Sequence, residues 1–162
     1  MASLSRESRQ PSAVSHQLLL ITDGFDELTL KRVRDAIDTL PRGFAAVQLR
    51  AKRLEGAALF AAATALRVVA PILVVNDRVD VALAAGADGV HLPSRGLPVA
   101  VARALVGGRL VGASTHLLAE AVAARRDGAD YVVFGPVWPT GDKGDAVGLD
   151  ALAEAVRERV AA

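Results

Sequence analysis

The sequence predicts an α/β fold in which short parallel strands alternate with helices. From Leu18 onward, short apolar runs alternate with longer segments of helical periodicity, and Gly, Pro or Asp marks each switch. Hydrophobic residues make up 52% of the 162 residues and aromatic residues only 4%, which is typical of helices packed on Val- and Leu-rich strands. The strand segments are apolar on successive residues, so both of their faces must be covered, as in a parallel sheet flanked by helices.

Six strand–helix units follow one another along the chain. The predicted strands are Leu18–Thr22, Ala45–Leu49, Ile72–Val75, Gly89–His91, Leu110–Gly112 and Tyr131–Phe134. The predicted helices are centred on Val33, Ala62, Val81, Val101, Ala121 and Ala155. Gly-Ala-Asp occurs at 86–88 and again at 128–130, each time closing a helix and opening a strand, with Gly suited to the left-handed position after a helix. Such a repeat is compatible with a barrel or a doubly wound sheet, and spacing alone does not choose between them.

The bulk properties predict one domain and exclude several functions. Residues 1–16 are rich in Ser and Arg without an apolar core, which predicts a disordered tail and leaves 17–162 as the folded domain. The net charge is +1 with both signs interspersed, so no basic surface for nucleic acid is expected. The longest apolar stretch is interrupted by Arg67 and Pro71, which argues against a membrane span. The absence of cysteine removes disulfides and thiolate chemistry and favours a cytoplasmic protein.

Polar residues recur where the predicted strands end, which is the functional edge of parallel α/β folds. Gln48, Arg50 and Lys52 alternate after the second strand, so their side chains share one face of an extended segment. Two cations and an amide suit a phosphate or pyrophosphate. A surface strand end with solvated charges explains this triplet equally well.

Asn76 and Asp77 follow the third strand and have two readings. They could orient a substrate or hold a magnesium ion, because Mg²⁺ prefers oxygen ligands. Asn and Asp just before a helical run are also ordinary helix N-caps, which is the more common role on spacing alone.

The remaining strand ends carry two histidines and a Gly/Pro-rich loop. His91, with apolar neighbours, is interpreted as structural, whereas His116 follows Ser114 in a position that suits a general acid or base. The loop after the sixth strand ends in Thr140 and Lys143, which could bind phosphate or belong to a plain surface loop.

Six ordered motifs together make the chain resemble the thiamine phosphate synthase and TenI-type thiazole tautomerase family over Leu18 to Val160. They are Leu20-Ile21-Thr22-Asp23, Val47-Gln48-Leu49-Arg50-Ala51-Lys52, Asn76-Asp77-Arg78-Val79-Asp80, Gly86-Ala87-Asp88-Gly89-Val90-His91-Leu92, Gly112-Ala113-Ser114-Thr115-His116 and Gly128-Ala129-Asp130-Tyr131-Val132-Val133-Phe134-Gly135-Pro136. The resemblance implies a TIM-type (βα) barrel. Because an eight-stranded barrel needs two more βα units after Val160, we expect a barrel truncated to about six units. The open sheet edges would favour a homo-oligomer that covers them.

The synthase branch of this family implies a role for each strand-end residue. Asp77 would be a magnesium ligand, and Thr140 would contact the thiazole phosphate. The pyrophosphate of the pyrimidine substrate would be held by Gln48, Arg50, Lys52, Asn76, Ser114 and Lys143. This chain departs from the branch in the loop Pro93-Ser94-Arg95-Gly96, where the family pattern Gly-Gln-Glu-Asp carries a second metal-binding carboxylate, and at Asp142, which replaces a Thr.

The Leu92-Pro93-Ser94 turn instead resembles the tautomerase branch. There a histidine matching His116 shifts a proton to aromatise a carboxythiazole phosphate, and no metal is required. The sequence therefore leads to three hypotheses, with the tautomerase first. The second is a Mg²⁺-dependent thiamine phosphate synthase, and the third is a non-catalytic partial barrel that binds a phosphorylated metabolite. The expected ligands in every case are small phosphorylated thiazoles or pyrimidines.

Overall fold

The six predicted strands form one parallel sheet in a computed structural model that describes residues 18–140 and 146–158. The strands are β1 (Leu18–Ile21), β2 (Ala45–Leu49), β3 (Leu73–Asn76), β4 (Gly89–Leu92), β5 (Leu110–Thr115) and β6 (Tyr131–Phe134). The helices are α1 (Glu27–Asp38), α2 (Gly56–Val69), α3 (Val79–Ala84), α4 (Val99–Val106), α5 (Leu118–Arg126) and α6 (Gly148–Arg157). All six predicted helix centres fall inside these helices.

The strand order settles the choice between a barrel and a doubly wound sheet. The order in the sheet is β1-β2-β3-β4-β5-β6, so every strand pairs with its neighbours in the chain. A doubly wound sheet reverses its order at a switch point, and this sheet does not. Right-handed crossovers in a sequential order place the helices on the same side. Helix α1 contacts α2, α2 contacts α3, α3 contacts α4, and α5 contacts α6. This is the arrangement of a TIM-type barrel, as the resemblance implied.

The hydrophobic core lies between the sheet and the helices. The strand side chains that point outward are among the most buried in the chain: Val47, Leu49, Leu73, Val75, Val90, Leu92 and Val111. Helix α2 contributes Leu59 and Leu66, which lie in the same cluster. Because successive strand residues point to opposite sides, the alternate residues are left facing the inside of the curve, where the polar residues lie.

The Gly-Ala-Asp repeat builds the same junction twice. Gly86 follows α3 and Gly128 follows α5, with φ values of 64° and 104°, so both occupy the predicted left-handed region. The two aspartates then act alike: Asp88 Oδ2 accepts from the Leu73 N–H at 2.8 Å, and Asp130 Oδ2 from the Val111 N–H at 2.7 Å. The repeat therefore joins β3 to β4 and β5 to β6.

Two local predictions are corrected. Strand β5 extends to Thr115 rather than ending at Gly112, because Ala113, Ser114 and Thr115 continue the pairing with β6. Neither Asn76 nor Asp77 caps helix α3: its N-cap position is Arg78, without a side-chain cap. The capping interpretation is therefore wrong.

Two further predictions concern the N-terminal tail and membrane spans. The predicted tail, residues 1–16, lies outside the described residues, as does Lys143. Among the described helices, none combines the length and the apolar character that crossing a bilayer requires.

Candidate active site

An open cleft of about 1140 Å³ lies over the carboxyl ends of the strands. Its polar lining comes from the residues that alternate on the inner side of the sheet and from the loops that follow. The lining consists of Ile21, Asp23, Gln48, Arg50, Lys52, Asn76, His91, Pro93, Ser94, Ser114, His116, Leu117, Val133, Pro136, Ala146 and Val147. Six of the predicted site residues, Gln48, Arg50, Lys52, Asn76, Ser114 and His116, are thus brought together.

The cationic wall of the cleft is formed by Arg50 and Lys52 at the exit of β2. The Arg50 Nη1 donates to Asp23 Oδ1 at 3.1 Å, and the backbone N–H of Arg50 donates to Thr22 Oγ1 at 3.0 Å. Asp23 is therefore a site residue that sequence reasoning did not assign a role. Within residues 18–140 and 146–158, Lys52 forms no ion pair. An anion entering the cleft would meet one oriented guanidinium and one free ammonium.

Gln48 is buried in the cleft floor with an unused donor. The residue is 2% exposed, and its Nε2 has no hydrogen-bond partner among the described residues. Leaving a buried amide donor unpaired costs about 1–3 kcal/mol, so such groups are usually satisfied by a partner. The amide also lies beside the Tyr131 hydroxyl, where it acts to lower the pKa of that phenol, so both this oxygen and a ligand in the cleft are within its surroundings.

A polar cluster joins strands β4, β5 and β6 below the cleft. The His91 ring lies between Tyr131, whose hydroxyl is 3.2 Å from Nδ1, and Ser114, whose Oγ is 2.8 Å from Nε2. His91 is 3% exposed, and burial lowers its pKa to about 4, so the imidazole is neutral near pH 7. Burial and then the nearby Asp130 carboxylate raise the pKa of Tyr131, which keeps the phenol protonated. The interpretation of His91 as a buried structural residue fits its burial but misses these two contacts.

His116 stands at the cleft surface with its ring oriented by the backbone. Its Nδ1 bonds the carbonyl oxygen of Gly135, and its Nε2 lies 3.3 Å from Ser94 Oγ. Because a carbonyl only accepts, Nδ1 carries the proton and Nε2 carries the lone pair in the neutral ring. Glu120 accepts from the backbone N–H groups of His116 at 2.7 Å and of Leu117 at 3.2 Å, which holds this turn.

Asp77 is an exposed residue at the end of β3 with an unusual backbone. Its φ of 66° lies in the left-handed region, which non-glycine residues rarely adopt, although Asp tolerates it better than most. Its Oδ1 faces the loop after β4, 3.1 Å from the point where a Cβ on Gly96 would lie. The neighbouring Asp80 is paired with Arg78, which lowers the pKa of that carboxyl to about 2. Within the described residues, Asp77 is therefore the carboxylate of this loop that forms no ion pair.

The donor set fits a magnesium ion only if the substrate supplies most of its ligands. Within the described residues, no group of three or more His, Cys, Asp or Glu side chains could enclose a metal ion. The loop Pro93-Ser94-Arg95-Gly96 adds no carboxylate. Magnesium sites built from one or two carboxylates plus substrate phosphates are common, and Asp77 supplies one such carboxylate.

Two other predicted site residues, Asp77 and Thr140, are not among the residues that line the cleft. Thr140 is exposed on the loop after β6 and is not among the lining residues. Sequence reasoning in turn missed Ser94, Tyr131 and Glu120. The strand alternation of Tyr131 with Val133 was a usable signal for Tyr131. Glu120 lacked the usual capping signature, because Leu117 stands where a Ser or Thr would be expected. Ser94 belongs to the Leu92-Pro93-Ser94 turn that resembles the tautomerase branch, but no contact was assigned to it.

The chain matches known proteins over nearly its whole described length. A family model described as thiamine monophosphate synthase, TMP-TENI, matches residues 18–160. A thiamine-phosphate synthase of Methanoculleus marisnigri is 51% identical over 116 residues, which are 67% of this chain and 55% of that protein. A thiamine-phosphate synthase of Methanospirillum hungatei is 41% identical over 152 residues, covering 89% of this chain and 73% of that protein.

A solved structure has the same architecture. The thiamine phosphate pyrophosphorylase from Pyrococcus furiosus superposes with a TM-score of 0.75 at 35% sequence identity, covering 87% of this chain and 69% of that chain. The six parallel strands thus form a curled part-barrel of the TIM type. Its fold, its strand-end cleft and the family match together place this chain in the thiamine monophosphate synthase (TMP-TENI) family.

Proposed function

We propose that this chain is a thiamine phosphate synthase, which joins hydroxymethylpyrimidine pyrophosphate to thiazole phosphate and releases pyrophosphate. The observation that carries the proposal is the convergence of Arg50, Lys52, Gln48 and Ser114 on one cleft. Two cations, an unused amide donor and a hydroxyl match the many oxygens of a pyrophosphate. The relatives that share the family are named as synthases, which favours this alternative over the tautomerase that the sequence placed first.

In this reaction the bond between the pyrimidine methylene carbon and the pyrophosphate oxygen breaks, and the oxygen keeps the electron pair. The ring nitrogen of the thiazole then forms the new bond to that carbon. The charge that develops is on the departing pyrophosphate, so catalysis depends on donors and cations already aimed at it. Arg50 would bind this group with an orientation maintained by Asp23, and Lys52, Asn76 and Ser114 would donate to its other oxygens.

A magnesium ion would add further positive charge beside the leaving pyrophosphate. Asp77 is the residue of the β3 loop that would hold it, with the remaining ligands coming from substrate oxygens and water. Because the chain supplies one carboxylate here, we expect the ion to bind together with the pyrophosphate and weakly on its own. Thr140, which lies outside the cleft lining, and Lys143, which lies outside the described residues, stay proposed phosphate ligands from the family resemblance.

The tautomerase is kept as a second candidate on one observation. The Gly135 carbonyl orients His116 so that the Nε2 lone pair faces the cleft, near Ser94. A neutral imidazole in that tautomer can remove a proton from a ligand. The same geometry is compatible with a synthase in which His116 only orders the loop after β5.

The two candidates separate in one experiment on purified full-length chain. Wild type and His116→Gln are each assayed for thiamine phosphate formation with Mg²⁺ present, and for aromatisation of carboxythiazole phosphate. We expect the wild type to form thiamine phosphate and His116→Gln to retain most of that activity. Ser114→Ala is the matched variant, since it changes the neighbouring inward-facing side chain, and it should lower kcat/KM for the pyrimidine pyrophosphate about tenfold.

The other outcomes each contradict the proposal in a specific way. Aromatisation that disappears in His116→Gln, without thiamine phosphate formation by the wild type, assigns the tautomerase. Binding of either phosphorylated ligand without turnover in both assays assigns the non-catalytic binding function.

A further inference from the structure

We propose that His91 is a positioning residue that acts through Ser114, turning the Ser114 hydroxyl so that it donates its hydrogen bond to the substrate pyrophosphate. This inference rests on the proposed synthase function and adds to it a residue from the interior of the fold. The basis is the geometry of the cluster formed by Tyr131, His91 and Ser114, which we call the inner relay.

A neutral imidazole has one N–H and one lone pair, so the inner relay has two possible directions. In the first, the Tyr131 hydroxyl donates to His91 Nδ1 and the Nε2–H donates to Ser114 Oγ. The Ser114 proton is then free to point into the cleft. In the second, Nδ1 donates to Tyr131 and Nε2 accepts from Ser114, whose proton is consumed inside the protein. In the first direction the Ser114 hydroxyl can donate a hydrogen bond to a ligand, and in the second it can only accept one.

One feature of the structure and one property of the proposed ligand select the first direction. His91 Nδ1 lies within hydrogen-bond distance of the Tyr131 hydroxyl, and the Gln48 amide beside it acts as a donor that lowers the pKa of the phenol. A buried phenol that keeps its proton must donate it somewhere, and Nδ1 is the acceptor at this distance. At the other end, a pyrophosphate has oxygens that only accept, so it binds Ser114 when Ser114 donates. Both ends therefore require the proton of His91 to lie on Nε2.

Close packing around Tyr131 keeps the inner relay in place. A Cβ at Gly112 would lie 2.1 Å from the Tyr131 Cζ and 2.4 Å from its hydroxyl oxygen, so the ring passes directly over this glycine. The Tyr131 and His91 rings also stack, with centroids 5.6 Å apart and an interplanar angle of 28°. Since β4 and β6 both pair with β5, these contacts fix the distance from the Tyr131 hydroxyl to Ser114.

The direction of the inner relay can be read without any enzyme activity. In full-length chain labelled with ¹⁵N-histidine, the ring nitrogens of the three histidines are assigned by comparison with His91→Gln and His116→Gln. We expect the His91 signals of the ligand-free protein near pH 7 to report a neutral ring protonated at Nε2. In Tyr131→Phe, which keeps the ring but removes the donor, the signals should show a mixture of tautomers. A His91 ring protonated at Nδ1 in the wild type would overturn the proposal.

The consequence for the ligand is tested with inorganic pyrophosphate as the probe, measured by calorimetry in the presence of Mg²⁺. We expect His91→Leu and Ser114→Ala each to weaken binding by about tenfold, the loss typical of one hydrogen bond to a charged group. The double variant should be no weaker than Ser114→Ala alone, because both changes remove the same hydrogen bond. His91→Gln should recover most of the affinity, since its amide N–H can replace Nε2–H.

A purely structural His91 gives a different set of results. In that case His91→Leu lowers the melting temperature but leaves pyrophosphate affinity at the wild-type value, or its loss adds fully to that of Ser114→Ala, and either result overturns the proposal. His91→Gln and the tautomer measurement remain decisive even if His91→Leu fails to fold. Failure of the synthase function is separate: a wild type that forms no thiamine phosphate overturns that function whatever tautomer His91 adopts.

Discussion

The Asp130 carboxylate lies 2.5 Å from the Arg103 guanidinium and also accepts the backbone N–H of Val111 at 2.7 Å, both on Oδ2. The same arrangement recurs forty-two residues earlier, where Asp88 meets Arg67 and the Leu73 N–H. Each arginine also donates to the carbonyl of the glycine in the repeat. Asp88 thus connects α2 and the start of β3 to the segment that leads into β4. Asp130 connects α4 and the start of β5 to the segment that leads into β6.

Replacing this carboxylate should destabilise the fold. Asp130→Ala removes the acceptor of the Val111 N–H and leaves the half-buried Arg103 without its carboxylate, so we expect the free energy of unfolding to fall by about 1–3 kcal/mol. Urea unfolding followed by circular dichroism measures this. Asp35→Ala is the control, because its ion pair with Lys31 is exposed on α1 and should contribute about 0–1 kcal/mol. Equal losses in the two variants would contradict the role assigned to Asp130.

Arg50 should contribute to binding of the pyrophosphate substrate. Loss of one hydrogen-bonded cation corresponds to about 1.5–3 kcal/mol, so Arg50→Ala should reduce kcat/KM for the pyrimidine pyrophosphate about 10- to 100-fold. Arg53→Ala makes the same change in charge three residues later on an exposed loop outside the cleft lining. Its kcat/KM should stay within about twofold of the wild type, if screened surface charge contributes little. Similar kinetics for both variants would show that Arg50 acts only through net charge.

Gly112 should tolerate no side chain while Tyr131 occupies its present position. Gly112→Ala places a methyl group 2.1 Å from Tyr131 Cζ, and overpacking of this kind costs about 1–3 kcal/mol. Thermal unfolding of Gly112→Ala, of Tyr131→Val and of the double variant measures the cost. The double variant should be more stable than the sum of the single losses predicts, because the ring is gone. Gly108→Ala, where nothing lies within 4 Å, should remain close to the wild type.

His91 should make the protein less stable in acid. Its folded-state pKa is lowered to about 4 by burial, below the value of about 6.5 in an unfolded chain. Between these values the unfolded state binds a proton that the folded state does not, so stability falls as the pH falls. From about pH 7 to about pH 4.5 we expect this histidine alone to cost about 2 kcal/mol.

The measurement is the difference between wild type and His91→Gln in the free energy of unfolding at those two pH values. Carboxylates that titrate in acid, such as Asp80, affect both proteins and cancel in the comparison. A wild type that loses no more stability than His91→Gln would mean that His91 is protonated in the fold or solvated.

Much of the fold could be predicted from local pattern. Strands β2 and β6 have the predicted bounds, and Gly86 and Gly128 have the left-handed backbone expected after a helix. These features depend on a few consecutive residues, so they can be predicted from the sequence. The end of β5 could not be predicted in this way, because Ala113 to Thr115 join the sheet by pairing with residues that are about twenty positions away in the chain, Leu92 of β4 and Val132 to Phe134 of β6.

The candidate site divides in the same way. The alternation of Gln48, Arg50 and Lys52 predicted a shared face, and all three line the cleft. The capping role considered for Asn76 and Asp77 was wrong, because α3 begins after Arg78 and the left-handed backbone of Asp77 turns the chain first. Residue propensities describe how often Asn and Asp cap a helix. The actual start of α3 depends on the position of the loop, where the Asp77 N–H donates to the His91 carbonyl of β4.

The sequence by itself determined the series of six βα units and the polar character of their carboxyl ends, because the direction of alternate side chains is a local property of extended backbone. Only the tertiary structure decided which of these ends meet. Ser114 lies 23 residues and Tyr131 40 residues from His91, and hydrogen bonding across neighbouring strands brings all three into contact. Strand order and burial come from packing over the whole sheet, so they set the hydrogen-bond partners and the low pKa of His91.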